Sequence, residues 1–310
     1  MYSGTTLTRA SGRIAGTHQK IDRVARRKLQ PYLSAKWFPT SREILHFEGR
    51  NGPDGVKIKS PASDEPWHYI NPNDPADTQL LGLIADGQAN LIKALKENNR
   101  ERAAFEAAWL SHALTDGLTP AHHSDYKTRR DDLLGDDVDK QEAVGKKILK
   151  SGDTLGERLK NIWEFYKPNG RGVGSAHLNF ELGVAFTITP LRFGEVRLTT
   201  AERAGIRRDG GIVKSFRSLA LYVDKWKMFE DYLTNGWTAR LARTAKNELL
   251  PLIIHTVLLE WYYCLWAAEG RARNSLKNNS VKIKAGDGQS PGEFSAAKNS
   301  KVKNGQSSAD

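Results

Sequence analysis

The sequence predicts an all-α fold: a single multi-helix domain followed by a disordered C-terminal tail. Three observations predict it. Apolar residues recur at three- and four-residue spacing through most of the chain up to about residue 270. Strand-like patterning is confined to one short run, Glu195–Leu198. No internal repeat and no linker-like stretch divides the body, so residues 1–273 read as one helical domain and 274–310 as a tail.

The elements follow in order. Gly16-Thr17 opens a first helix whose His18, Ile21, Ala25 and Leu29 share one face. Residues 36–75 then lose the period. Glycines and prolines crowd the segments FEGRNGPDG and PASDEPWHYINPNDP, which predicts a long functional loop. A helix over Asp77–Leu95 turns Leu80, Leu81, Leu83, Ile84, Leu91 and Ile92 inward. An Ala-rich helix over Glu101–Gly117 follows, stopped by Gly117 and Pro120. Further helices are expected over Asp136–Ser151, Leu155–Tyr166 and Ser175–Thr189. Two long amphipathic helices, Lys214–Leu233 and Trp237–Gly270, close the body. Leu249–Ala268 is the one stretch apolar enough to suggest a membrane span. It holds Pro251, His255 and Glu260, each costly in lipid, so a buried core helix is the better reading. From Asn274 the chain is Lys, Asn, Ser and Gly with few apolar residues, the composition of disorder.

Composition limits the chemistry. The single cysteine, Cys264, excludes an internal disulfide and a Cys-based zinc finger. Any metal site must use His, Asp and Glu. The net charge is +11, and the residues from Arg271 onward carry +5 of it. A basic chain favours anionic partners: phosphates, nucleic acid or an anionic membrane surface met by the tail. The first residues lack the apolar core of a secretory signal, which suggests a cytoplasmic protein, with a secreted or surface-associated one as the alternative.

Two pairs of residues stand out. His112 and Asp116 lie four apart in AAWLSHALTDGLTPAHHSDY, and His177 and Glu181 four apart in AHLNFEL. On a helix each pair converges on one face and offers two ligands to one ion. A lone pair of this kind is more often a surface hydrogen bond. Here both lie in apolar surroundings, where an unpaired carboxylate is costly. A shared metal cluster explains both. Pro120 breaks the helix and turns His122 toward the same pocket.

Together these residues resemble the zinc-dependent phospholipase C family and the related single-strand-specific zinc nucleases. The family signature H-x-x-x-D-x-x-x-x-x-H, with a proline two residues before the last histidine, is matched without a gap by His112, Asp116, Pro120 and His122. A later H-x-x-x-E is matched by His177 and Glu181. A histidine in an aromatic segment running into Asn-Pro is matched by His68 in WHYINPND, and one opening an N-terminal helix by His18. The match covers residues 18 to about 181. The resemblance implies that His68, His112 and Asp116 hold one zinc and that His122, His177 and Glu181 hold a second. His18 and a bridging Asp116 would help hold a third. It also implies a loop carboxylate acting as ligand and base. Glu48, after the apolar segment ILHF, is favoured, while Asp54 in NGPDG stands at a better distance from His68. The sequence departs from the family in two places. The best-known family members begin, after processing, with a tryptophan whose amine and carbonyl complete the third site, whereas the first tryptophan here is Trp37. The segment TDGLTPAH also differs from the family around Asp116 and Pro120.

The resemblance implies a phosphodiesterase: two or three Zn2+ ions, about 3.5–4 Å apart, and cleavage of a phospholipid by a metal-activated hydroxide. Two alternatives remain. One is a single-strand-specific nuclease on the same cluster, with Trp67, Tyr69 and Tyr126 as stacking platforms. The other is a non-catalytic zinc-containing module that binds an anionic surface. His123 reads as a rim residue, His46 as a supporting or surface residue, and His255 as a core histidine. Arg23, Arg26, Arg27 and Lys28 read as a solvated helix face.

Overall fold

The computed structural model describes residues 1–3, 16–33, 37–59, 68–123, 173–194 and 196–270. The helices expected at 136–151 and 155–166, the tail from Asn274, and the aromatics Trp67 and Tyr126 lie outside the described residues. Among those described, the chain is helical and has no strand; 196–198, the described part of the expected strand, runs as irregular chain.

The helices are α1 Thr17–Leu29, α2 Ser41–His46, α3 Pro53–Lys59, α4 Gln79–Lys96, α5 Arg100–Gly117, α6 Val173–Ile188, α7 Thr200–Asp209, α8 Val213–Asp224, α9 Met228–Asn235, α10 Ala239–Thr244 and α11 Leu250–Ala268. Met1–Ala272 form one compact unit.

Helices α4 and α5 make a hairpin. Asn98 takes the left-handed conformation in the turn (φ 56°), and the Asn99 side chain caps α5 by accepting from the Arg102 N–H. Small residues let the two helices close. A Cβ on Gly87 would stand 3.4 Å from Leu110, and one on Gly117 would stand 2.6 Å from Leu80. Helix α11 packs on α1, α4, α5 and α7. Its Trp261 is fully buried, donates its indole N–H to the Ala107 carbonyl at 3.2 Å, and lies against Phe38. Burying such side chains contributes roughly 1.5–3 kcal/mol each. Ala239–Ala268 is long and apolar enough to cross a membrane by length and composition, yet most of its apolar stretch is buried against the other helices.

Three expectations need correction. Residues 36–75 are not one irregular loop. Thr40 and Glu43 form a reciprocal capping box that starts α2, and Pro53 opens α3. Helices this short show no period. The helix expected over Lys214–Leu233 is two, divided at Lys227, which is left-handed (φ 49°). The one expected over Trp237–Gly270 begins at Ala239 and widens into a π-turn over Ala245–Leu249. Pro251 follows within two residues. It has no N–H for the carbonyl four residues back, and the wider turn accommodates that lost bond.

Candidate metal centre

Six stretches of chain meet at the His112 face of α5. That helix supplies His112 and Asp116 one turn apart. Helix α1 supplies His18 and, one turn on, Asp22. Gly117 ends α5, and Pro120 starts a short 3-10 turn, Pro120–His122, that carries His122 back over the site. The extended segment at His68–Ile70 is pinned to this turn, because the Ile70 N–H donates to the His122 carbonyl at 3.0 Å. Helix α6 brings His177 and Glu181. The Glu48–Asp54 segment and Met1 complete the cluster. His18, Glu48, His68, His112, Asp116, His122 and Glu181 are all buried. The side chains of Asp54, at 27 % exposure, and His177, at 15 %, mark its open side.

Asp116 is the hub. Its Oδ2 lies 2.7 Å from His68 Nδ1 and 3.2 Å from His112 Nε2. Its Oδ1 lies 3.2 Å from His18 Nε2 and 2.5 Å from the Met1 α-amine. That amine is also 3.0 Å from Glu181 Oε1, which lies 2.9 Å from both His122 Nε2 and His177 Nε2. Three sets have the spacing to hold a metal ion: Asp54, His68 and His112; His122, His177 and Glu181; and His18, Glu48 and His112.

Hydrogen-bond chemistry indicates that these residues fit a cation. His122 Nδ1 lies 2.9 Å from the His68 carbonyl, which can only accept, so Nδ1 carries the ring proton and Nε2 presents a lone pair. Burial holds the His122 pKa down to about 3, so the ring is neutral. Its lone pair nevertheless faces the Glu181 carboxylate at 2.9 Å, and lone pair against lone pair is repulsive unless a cation lies between. The Nδ1–H to carbonyl bond is also the usual way a ligating histidine is oriented. Elsewhere in the cluster, both ring nitrogens of His18 and His112, Nε2 of His68 and Oε1 of Glu48 are buried without a hydrogen-bond partner among the described residues. Burial opposes charge on His112, but Asp116, Glu48 and Asp54 around it outweigh that and raise its pKa well above the usual value. Burial likewise opposes ionisation of Asp116, yet the charges of the Met1 amine and His112 hold it well below the carboxylate range.

The structure brings all nine sequence-predicted site residues into this region and separates two of them. Asp54 joins His68 and His112 on the Asp116 side. Glu48 lies on the opposite edge of the His112 ring, 3.5 Å from Nδ1. Both Asp54 and Glu48 sit within one turn-rich segment, where a Cβ on Gly52 would come 2.8 Å from the Phe47 carbonyl oxygen and one on Gly55 would meet the Arg50 backbone. The segment can therefore double back around the ring only with glycines there. Sequence reasoning missed Met1 and Asp22. Asp22 offered a signal, standing four residues after His18 on the same helix face and accepting from the Ser111 hydroxyl at 2.5 Å. Met1 offered none, since no local pattern tells where a chain end packs.

The other histidines serve elsewhere. His123 is buried rather than on a rim, its Nε2 donating to the Gly117 carbonyl at 2.9 Å. His46 is exposed, edge-on to Phe47. His255 is partly exposed and pairs with Glu202 at 3.1 Å, so it is no core histidine. Arg26 is buried and donates to the Pro39 carbonyl, a departure from the solvated face expected of that run.

No protein-family model, no curated protein and no solved structure matches this chain.

Proposed function

We propose that this chain is a zinc-dependent phosphodiester hydrolase whose reaction is phospholipase C-type cleavage of a phospholipid. One observation carries the reading: the two oxygens of a single buried carboxylate, Asp116, address two separate sets of nitrogen donors, while Glu181 gathers a third. Such sharing is the arrangement a multi-ion phosphoesterase needs. The order of His18, His68, His112, Asp116, His122, His177 and Glu181 along the chain, which resembles that of the zinc-dependent phospholipases C, supports the same class.

Zinc ions bound there would polarise the phosphoester and supply a nucleophile at neutral pH. The protein's own part is orientation and proton handling. The His68 carbonyl sets the ring of His122. Asp54, the most exposed carboxylate of the cluster, is placed to accept a proton from an attacking water. Tyr69 stacks on His122, and Phe229 stands edge-on to His177, so apolar surface borders the open side.

The test is zinc per chain by elemental analysis, followed by phosphatidylcholine vesicles and single-stranded DNA assayed side by side. Two or three zinc equivalents with diacylglycerol release support the proposal. Release of mononucleotides alone reassigns the site to a nuclease. Zinc with no turnover of either makes the chain a binding module, and no zinc after add-back ends the metal reading.

A further inference from the structure

His112 is held among three carboxylates, two at one edge of its ring and one at the other. Nε2 faces Asp116 at 3.2 Å and Asp54 at 3.8 Å. Nδ1 faces Glu48 Oε1 at 3.5 Å. That nitrogen and that oxygen are both buried, and neither has a hydrogen-bond partner among the described residues. Two complementary orphans at this separation need only a small shift to become a bond, and leaving it unmade in a buried site is costly. The other Glu48 oxygen accepts from the Gly49 N–H at 3.4 Å, and Gly49 takes the left-handed conformation (φ 61°) at this turn. Beside the ring, His18 stacks face to face at 4.0 Å, which resists tilting of the imidazole.

We infer that Glu48 is a positioning residue: it receives the Nδ1–H of His112 and so keeps the Nε2 lone pair aimed at the pocket between Asp54 and Asp116. The direct ligand from this segment is then Asp54. Carboxylates in this position orient metal-bound histidines and raise their basicity, and removing one costs about 10–100-fold in metal affinity. The inference rests on the metal-centre reading for its consequence but not for the contact itself.

The experiment uses the full chain as wild type, Glu48→Gln, Glu48→Ala and Asp54→Ala, with two readouts. Zinc affinity is measured by competition with a chromophoric chelator. The His112 Nδ1–H proton is followed by NMR on 15N-histidine-labelled protein, with and without zinc. For Glu48→Ala, zinc stoichiometry should be kept, affinity should fall about 10–100-fold, and the Nδ1–H resonance should shift and exchange faster. Glu48→Gln retains an acceptor and should keep the resonance while losing part of the affinity. Asp54→Ala should lose affinity with the Nδ1–H signal intact. An unmoved Nδ1–H resonance in Glu48→Ala overturns the inference. So does loss of a whole zinc equivalent in Glu48→Ala that Asp54→Ala retains, which would make Glu48 the ligand. Wild type that binds no zinc defeats the metal-centre reading, and the Nδ1–H readout then still decides the Glu48 contact.

Discussion

His18 and His112 lie ring on ring, centroids 4.0 Å apart and planes 7° from parallel, with both Nε2 atoms 3.2 Å from opposite oxygens of Asp116. The stack ties α1 to α5 at the one point where both contribute to the candidate metal centre. A change at either ring is therefore felt in two of the three groups.

Replacing His112 with alanine should show this most directly. The ring serves the Asp54–His68 set, stacks on His18 and meets Glu48. His112→Ala should lose at least one zinc equivalent and lower phosphodiester turnover about 100-fold or more, since metal and nucleophile go together. Helix content by circular dichroism should remain. Normal zinc with full activity would sink the proposed function.

The Met1 amine should matter as an amine. It is buried between Asp116 and Glu181, and these carboxylates raise its pKa to about 10 despite the opposing effect of burial. A version carrying two extra residues before Met1 puts a neutral amide at this point and displaces a side chain that is 2 % exposed. As an ammonium at neutral pH the Met1 amine pairs with both carboxylates, so urea unfolding should show the extended version less stable than the chain beginning at Met1. Equal stability of the two versions would remove the ion pair from the account.

Gly117 should tolerate no side chain. It follows Asp116 directly, and a Cβ there would lie 2.6 Å from Leu80 and 2.7 Å from Phe216. Overpacking of this kind costs about 1–3 kcal/mol. Gly117→Ala should lower the unfolding free energy by that amount, seen as a lower midpoint in chemical unfolding, and weaken zinc binding, because the end of α5 must shift. An unchanged midpoint would mean that Leu80 and Phe216 move aside freely.

Outside the cluster, Glu260 should make stability depend on pH. It is fully buried on α11, its carboxylate accepting from the Ile212 N–H at 2.9 Å, and burial raises its pKa from 4.5 to about 7. The folded state therefore holds the proton more tightly than the unfolded one. Stability from this group is complete below about pH 4.5 and is lost as pH rises through 7, by about 3 kcal/mol in all. Glu260→Gln keeps an acceptor for Ile212 and cannot ionise. Between pH 5 and 8 the stability difference between wild type and this variant should move in the variant's favour as pH rises, measured by urea unfolding. A difference that stays flat across that range would refute it.

Much of this was legible in the sequence because helices are local. The i, i+4 pairs His112–Asp116 and His177–Glu181 need only one turn of backbone to converge, and both stand on helices as expected. The fully buried side chains Leu80, Ile84 and Leu91 follow from the period of α4, whereas Leu83, expected inward with them, is exposed. The break at Pro120 likewise predicted that His122 turns back. Where the chain is short of period, the reading failed: α2 and α3 were hidden in a Gly- and Pro-rich stretch, and Lys227 divides a pattern that looked continuous.

By itself, then, the sequence determined an all-helical body, the exclusion of an internal disulfide and a Cys-based zinc finger, and the set of histidines and carboxylates from which a site can be built. Only the tertiary structure decided that Asp54 and Glu48 take opposite edges of one imidazole, that Asp22 lies beneath the cluster, and that a chain end packs into its middle. Helical pairing is set by bonds spanning four residues. Which edge of a ring a loop carboxylate reaches, and where an amine is buried, depend on contacts between distant segments whose energy appears only when the helices have closed on one another.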